Sequence, residues 1–107
     1  MELEVDIKGL ALDPELRAVV ERRVRGALAR FGDRVHHADV FFMELGGRRS
    51  DADVRCRIVT DVRPIGRVVV QDTHDTAFQS IAGAAEKVTR VVARRLGRLR
   101  ARKLATA

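Results

Sequence analysis

The sequence predicts an α+β fold in the order β-α-β-β-β-α: a four-stranded sheet with two helices packed on one face. Three observations carry this expectation. Leu3, Val5 and Ile7 alternate with Glu2, Glu4, Asp6 and Lys8, the period-two pattern of a strand with one buried face. Two stretches, Leu16 to Phe31 and Ile81 to Leu99, place apolar residues at every third or fourth position, as helices docked along one stripe do. Between them lie runs rich in Val, Ile and Phe, punctuated by Gly46-Gly47 and by Val62-Arg63-Pro64-Ile65-Gly66, which read as turns between strands.

The first strand covers residues 2 to 8. Asp13, Pro14 and Glu15 then combine an N-cap, a first-turn proline and a carboxylate at the positive end of a helix dipole. Leu16, Val20, Val24, Ala27, Leu28 and Phe31 form the apolar stripe of that helix, and Gly32 offers a left-handed stop, giving bounds of about 14 to 31. The second strand, about 36 to 45, ends at a hairpin loop of Gly46, Gly47, Arg48, Arg49 and Ser50. Val54, Cys56 and Ile58 alternate with Arg55, Arg57 and Val59 in a third strand, and Arg67 to Gln71 is a fourth. These three strands are expected to form an antiparallel meander. Asp72, Thr73 and Asp75 are cap candidates for the second helix, about 76 to 103, and its stripe is Ile81, Ala85, Val88, Val92, Leu96 and Leu99.

A chain of 107 residues buries roughly two thirds of its unfolded surface, enough for one two-layer core. Residues 1–104 are therefore expected to form a single domain, with 105–107 as a flexible tail. One cysteine, Cys56, precludes an intrachain disulfide, and no apolar run approaches the roughly 20 residues of a bilayer span. The acidic, alternating start is unlike a secretory signal, so a cytoplasmic protein without membrane contact is expected.

Charge supplies the functional lead. Lys and Arg number 21 against 15 Asp and Glu, a net charge of +6. Lys87, Arg90, Arg94, Arg95, Arg98, Arg100, Arg102 and Lys103 crowd the second helix, and no acid follows Glu86. One face of this helix can dock on the core while the rest projects positive charge, which suits a polyanion. Lys87, Arg90, Arg94 and Arg98 fall three, four and four apart and line one stripe. Arg95 and Arg102 add to it, and Arg22, Arg23 and Arg25 extend the surface from the first helix. A purely solubilising face usually mixes both signs. That plainer reading fits the first helix as well as RNA contact does, because Glu15 and Glu21 stand among its arginines.

Catalytic and metal readings find less support. His36, His37 and Asp39, with His74, Asp75 and Cys56 elsewhere, offer nucleophile and ligand chemistry. Adjacent histidines on a regular strand point to opposite faces, however, and His74 lies in another segment. Cys56 shares the phase of Val54 and Ile58, which marks it as a small core residue. Gly46-Gly47 lacks the remainder of any phosphate-loop motif. No enzyme activity, cofactor, metal or small-molecule substrate is expected.

Several local sequences resemble the ribosome hibernation promoting factors, also called ribosome-associated inhibitors or sigma factor modulation proteins. Leu16-Arg17, Val19-Val20 and Arg23 are similar to that family's Leu-Arg-x-hydrophobic-hydrophobic pattern with its later basic residue. Phe31, Asp33, Arg34 and Val35 resemble its Phe-Asp-Arg-Ile ending, with Gly32 an added residue. Phe78-Gln79-Ser80-Ile81-Ala82-Gly83, followed by Glu86-Lys87 and Arg90, resembles its aromatic-Ala-Ala-Ile-Asp segment and acidic-Lys-x-x-x-Arg continuation. Phe78 stands where many members have Tyr, and Ala82 where the usual residue is Asp.

The resemblance spans nearly the whole chain and corresponds to a short form of the family. It implies binding to the small ribosomal subunit and its RNA near the decoding centre, blocking messenger and transfer RNA. A free monomer is expected. The alternative is a general structured-RNA-binding or RNA-chaperone module. With no Trp or Tyr and with Phe31, Phe41, Phe42 and Phe78 mostly in apolar patterns, a base-stacking platform is poorly supported. Recognition through RNA shape and phosphate, by charge-assisted arginine hydrogen bonds, fits better.

Overall fold

A computed structural model of the chain describes residues 2–9, 14–46 and 53–106. The Asp13 cap, the Gly47 to Ser50 part of the hairpin loop and Ala107 lie outside the described residues. The elements are β1 (Glu4–Lys8), α1 (Pro14–Leu28), a 3-10 stretch (Ala29–Arg34), β2 (Val35–Glu44), β3 (Val54–Val62), β4 (Gly66–His74) and α2 (Ala77–Thr106). The order is the expected β-α-β-β-β-α, and the sheet runs β1-β2-β3-β4. β1 pairs with β2 in parallel, while β2, β3 and β4 form the antiparallel meander. A parallel β1–β2 pair needs a crossover, and α1 supplies it.

Strand periodicity sorts the side chains into two faces. Ala38, Val40, Phe42, Cys56, Ile58, Val68 and Val70 are buried under Val20, Val24 and Leu28 of α1 and Ile81, Val88 and Val92 of α2. Each fully buried aliphatic side chain contributes about 1.5–3 kcal/mol relative to exposure, so this shared core holds both helices on the same face.

Several boundaries differ from expectation, each for a local reason. β1 starts at Glu4 rather than at residue 2; Leu3 is nevertheless buried, and Arg25 Nη1 donates to its carbonyl at 2.5 Å. The α-helical part of α1 ends at Leu28, before residue 31, and the tighter 3-10 stretch carries the chain to Arg34. Gly32 has φ 55° and ψ −132°, which glycine adopts without a Cβ clash. That kink lets Phe31 stay buried while Val35 enters β2.

β3 and β4 pair from Val54↔His74 to Val62↔Gly66, well beyond the apolar alternation of residues 54–59 and 67–71. Asp72 and Thr73 are therefore strand residues. The α2 cap is Thr76, whose Oγ1 accepts the Gln79 N–H at 3.1 Å, a Thr-x-x-Gln start typical of helix N-termini.

β2 carries one extra residue between Val35 and Ala38, opposite Val62 and Thr60, and a bulge of this kind re-aims the side chains within it. Thr60 Oγ1 donates to the His37 carbonyl there at 2.6 Å. At the other end of the molecule, α2 outruns the sheet. Among its described side chains Val92 is the last that is buried, Leu96 and Leu99 are half-buried, and Arg100 to Ala105 are exposed. A helix of 30 residues is about 45 Å long, which accounts for most of the 56 Å length of the molecule.

Candidate nucleic-acid interface

The basic residues divide by what they touch. Lys87, Arg25 and Arg95 tie elements together. Lys87 Nζ lies 3.1 Å from Asp72 Oδ1 and donates to the Gln71 carbonyl at 2.9 Å, fastening α2 to β4. Arg95 donates to the carbonyls of Arg67 at 3.1 Å and Ile65 at 3.0 Å, holding the β3–β4 turn. Arg25 fastens α1 to the entry of β1. Their cationic groups serve the fold first.

Arg90, Arg94 and Arg98 are exposed on the outer face of α2, and Arg22 and Arg23 are exposed on α1. Among the described residues, none of these five makes a hydrogen bond or ion pair. Arg102 is exposed on the overhanging end of α2. A row of arginines at helical spacing, free of acidic partners, keeps its donors available for phosphate.

The two helices converge through small side chains. Gly26 and Ala27 of α1 face Ala82, Ala85 and Thr89 of α2 across a shallow depression of about 400 Å³, rimmed by Arg22, Arg23 and Glu86. Thr89 Oγ1 lies 2.9 Å from the Ala27 carbonyl and 3.1 Å from that of Ala85, so its single proton serves one or the other. Further along, the 3-10 stretch brings Arg30 and Arg34 beside Ala93, Gly97 and Arg100, and Lys103 lies beside Arg34 and Pro64. Arg30 is stacked 5.3 Å from the Phe31 ring centroid. Sequence reasoning missed Arg30 and Arg34 as partners of the α2 surface. The available signal was the run Arg30-Phe31-Gly32-Asp33-Arg34 directly before a strand, which a helix ending at 31 divides between helix and connection.

The acid that neutralises Lys87 is itself held charged. Burial pushes the Asp72 carboxyl up, but hydrogen bonds from His74, at 2.8 Å, and from Lys87 outweigh it and hold the group below its ordinary value. The histidines are dispersed. His36 Nε2 meets Arg63 at 2.8 Å, His37 meets Asp39 at 3.0 Å, and His74 belongs to Asp72. Cys56 is buried, and burial together with the Asp72 charge pushes its thiol up to about 12, far from a thiolate nucleophile. No helix among the described residues is long and apolar enough to cross a membrane.

Residues 3–100 match the family model described as sigma 54 modulation protein / S30EA ribosomal protein. No curated protein matches the chain. Among solved structures, the N-terminal domain of Thermus thermophilus Protein Y is 23% identical with a TM-score of 0.66, over 88% of this chain and 98% of that one. A ribosomal subunit interface protein from Coxiella burnetii is 14% identical with a TM-score of 0.66, over 91% of this chain and 99% of that one. At these identities the two structures share the fold.

Proposed function

We propose that this chain, which belongs to the sigma 54 modulation protein / S30EA ribosomal protein family, works in the cytoplasm as a ribosome hibernation factor. It binds the small ribosomal subunit near the decoding centre and inhibits translation by blocking messenger and transfer RNA. The observation that carries this reading is the exposed row Arg90, Arg94 and Arg98 on α2, with Arg22 and Arg23 on α1, all five without a bond to another described residue. The family description, which names a ribosomal protein, supports a ribosomal partner.

The mechanism needs no bond-making chemistry. Ribosomal RNA concentrates phosphate on a folded surface, and each Lys or Arg contact releases condensed counterions, so association is strong at low salt and weakens steeply as salt rises. Bidentate guanidinium–phosphate pairs fix orientation as well as energy. Lys87, Arg95 and Arg25 hold α2, the β3–β4 turn and α1 in register, so the row is presented by a rigid body. Inhibition follows from occupancy: a folded domain 56 Å long in the path of transfer RNA excludes it.

Co-sedimentation with separated subunits, with transfer RNA as competitor, tests this reading. Saturable binding to the small subunit that transfer RNA antagonises is the expected result. Equal binding to large subunits and unrelated structured RNA would replace it with a general RNA-binding module.

A further inference from the structure

On the sheet face opposite the helices, β1 and β2 gather one imidazole and three carboxylates that the basic surface does not use. Their parallel register sets Glu4 beside His37 and Asp6 beside Asp39, and strand periodicity turns all four toward the helix-free side. His37 Nε2 lies 3.0 Å from Asp39 Oδ1 and 3.4 Å from Asp6 Oδ2, while its Nδ1 lies 3.8 Å from Glu4 Oε2. One ligand atom from each of Glu4, Asp6 and His37 lies within 4.8 Å of the other two.

Two physical considerations single this cluster out. Like charges directly opposite on neighbouring strands repel, and one imidazole, even protonated, offsets one of three negative charges. The next cation along β1, Lys8, is placed over the Phe41 ring at 5.6 Å. The second consideration is spacing. A tetrahedral zinc-type ion with bonds of about 2.0–2.2 Å to nitrogen and oxygen sets its ligand atoms about 3.3–3.6 Å apart. The distances of 3.4 Å and 3.0 Å from His37 Nε2 each lie within a few tenths of an ångström of that spacing, and Asp6 and Asp39, aligned across the two strands, close on a shared ion by side-chain rotation. Strands hold such a constellation more firmly than loops do.

We propose that His37 Nε2 and the carboxylates of Asp6 and Asp39 form a surface site for a divalent transition ion of the zinc class, with Glu4 steadying the ring through Nδ1. Water completes the coordination, because the site is open to solvent. The imidazole ligand selects zinc, nickel or copper over magnesium and calcium, which take oxygen ligands. Glu4 acts through the imidazole, as carboxylates behind ligating histidines commonly do. The adjacent-histidine pattern concealed this site, since its partners come from β1 and the bulge sends His36 to Arg63.

The test is calorimetric titration of tag-free, chelator-treated protein with zinc chloride, alongside the visible spectrum with Co²⁺. Wild type is expected to bind one ion per chain, with a Co²⁺ spectrum of low coordination number, and excess Mg²⁺ should not compete. His37→Ala, His37→Gln, Asp6→Asn and Asp39→Asn should each remove binding, with circular dichroism confirming the fold of at least one histidine and one aspartate variant. Glu4→Gln should weaken it about 10-fold or more, and His36→Ala and His74→Ala should leave it unchanged. Absence of saturable binding to wild type, retention in a folded His37 variant, or equal loss in His74→Ala would overturn the proposal. The site lies across the sheet from the arginine row, so Asp6→Asn should leave small-subunit binding intact.

Discussion

The carboxylate of Asp72 on β4 lies so close to the backbone of Gly83 on α2 that a Cβ on residue 83 would sit 1.6 Å from Oδ2. A glycine inside a helix costs about 1 kcal/mol relative to alanine, and here the missing Cβ makes room for the acid that pairs with Lys87 one turn later. The contact explains why a basic residue expected on the RNA-facing stripe is engaged with the sheet instead.

Gly83→Ala should therefore destabilise the domain despite its higher helix propensity. Asp72 would have to swing away from His74 and Lys87, with a net loss of about 1 kcal/mol once the propensity gain is included. Asp72→Ala removes the clashing atoms, so in its background Gly83→Ala should be neutral or stabilising. Urea unfolding of the four proteins in a double-mutant cycle measures this.

Acid should reveal the same cluster. Asp72 has a folded pKa below its ordinary value because the bonds from His74 and Lys87 outweigh burial. Its stabilising contribution is thus fully present above the unfolded value of about 3.9 and lost as pH falls through the lower folded value. Asp72→Asn should flatten this acid limb. Lys87→Met should raise the Asp72 pKa, as read by carboxyl NMR titration, and shift the limb to higher pH.

Charge reversal on the outer face should separate function from fold. Arg90 and Arg94 are exposed and make no bond with a described residue, so Arg90→Glu with Arg94→Glu should leave the melting temperature close to wild type. Ile81 and Val88 are 0% exposed, and Asp at either buries an unpaired carboxylate at a cost of several kcal/mol. Those variants should be unfolded by circular dichroism.

Cys56 should be unreactive in the folded protein. With its thiol pushed up to about 12 and its side chain buried, a thiol reagent at neutral pH should label it only on unfolding. Labelling that tracks added urea is the expected result.

Much of the fold was legible because burial writes itself into periodicity. Val54, Cys56 and Ile58, spaced by two, and Ile81, Val88 and Val92, at helical spacing, are all buried. Boundaries were harder to read where geometry rather than hydrophobicity decides them. The kink at Gly32 and the bulge before Ala38 leave no periodic trace, and the paired Asp72, Thr73 and His74 look like loop residues until a neighbouring ladder satisfies them. Within the site, helical spacing identified the row Arg90, Arg94 and Arg98. It had no means of separating it from Lys87 and Arg95, whose partners Asp72, Arg67 and Ile65 belong to β4 and its turn. Glu4 and Asp6 read as the solvent side of a strand, and only the parallel register brings them to His37.

The most direct test of the central claim is co-sedimentation of wild type and the Arg90→Glu, Arg94→Glu double variant with small ribosomal subunits across a salt series. The wild type should bind saturably, with an affinity that falls linearly in log–log form as salt rises. The double variant should lose binding and retain its fold. Wild-type affinity and an unchanged salt slope in the double variant would show that the arginine row is not the contact surface.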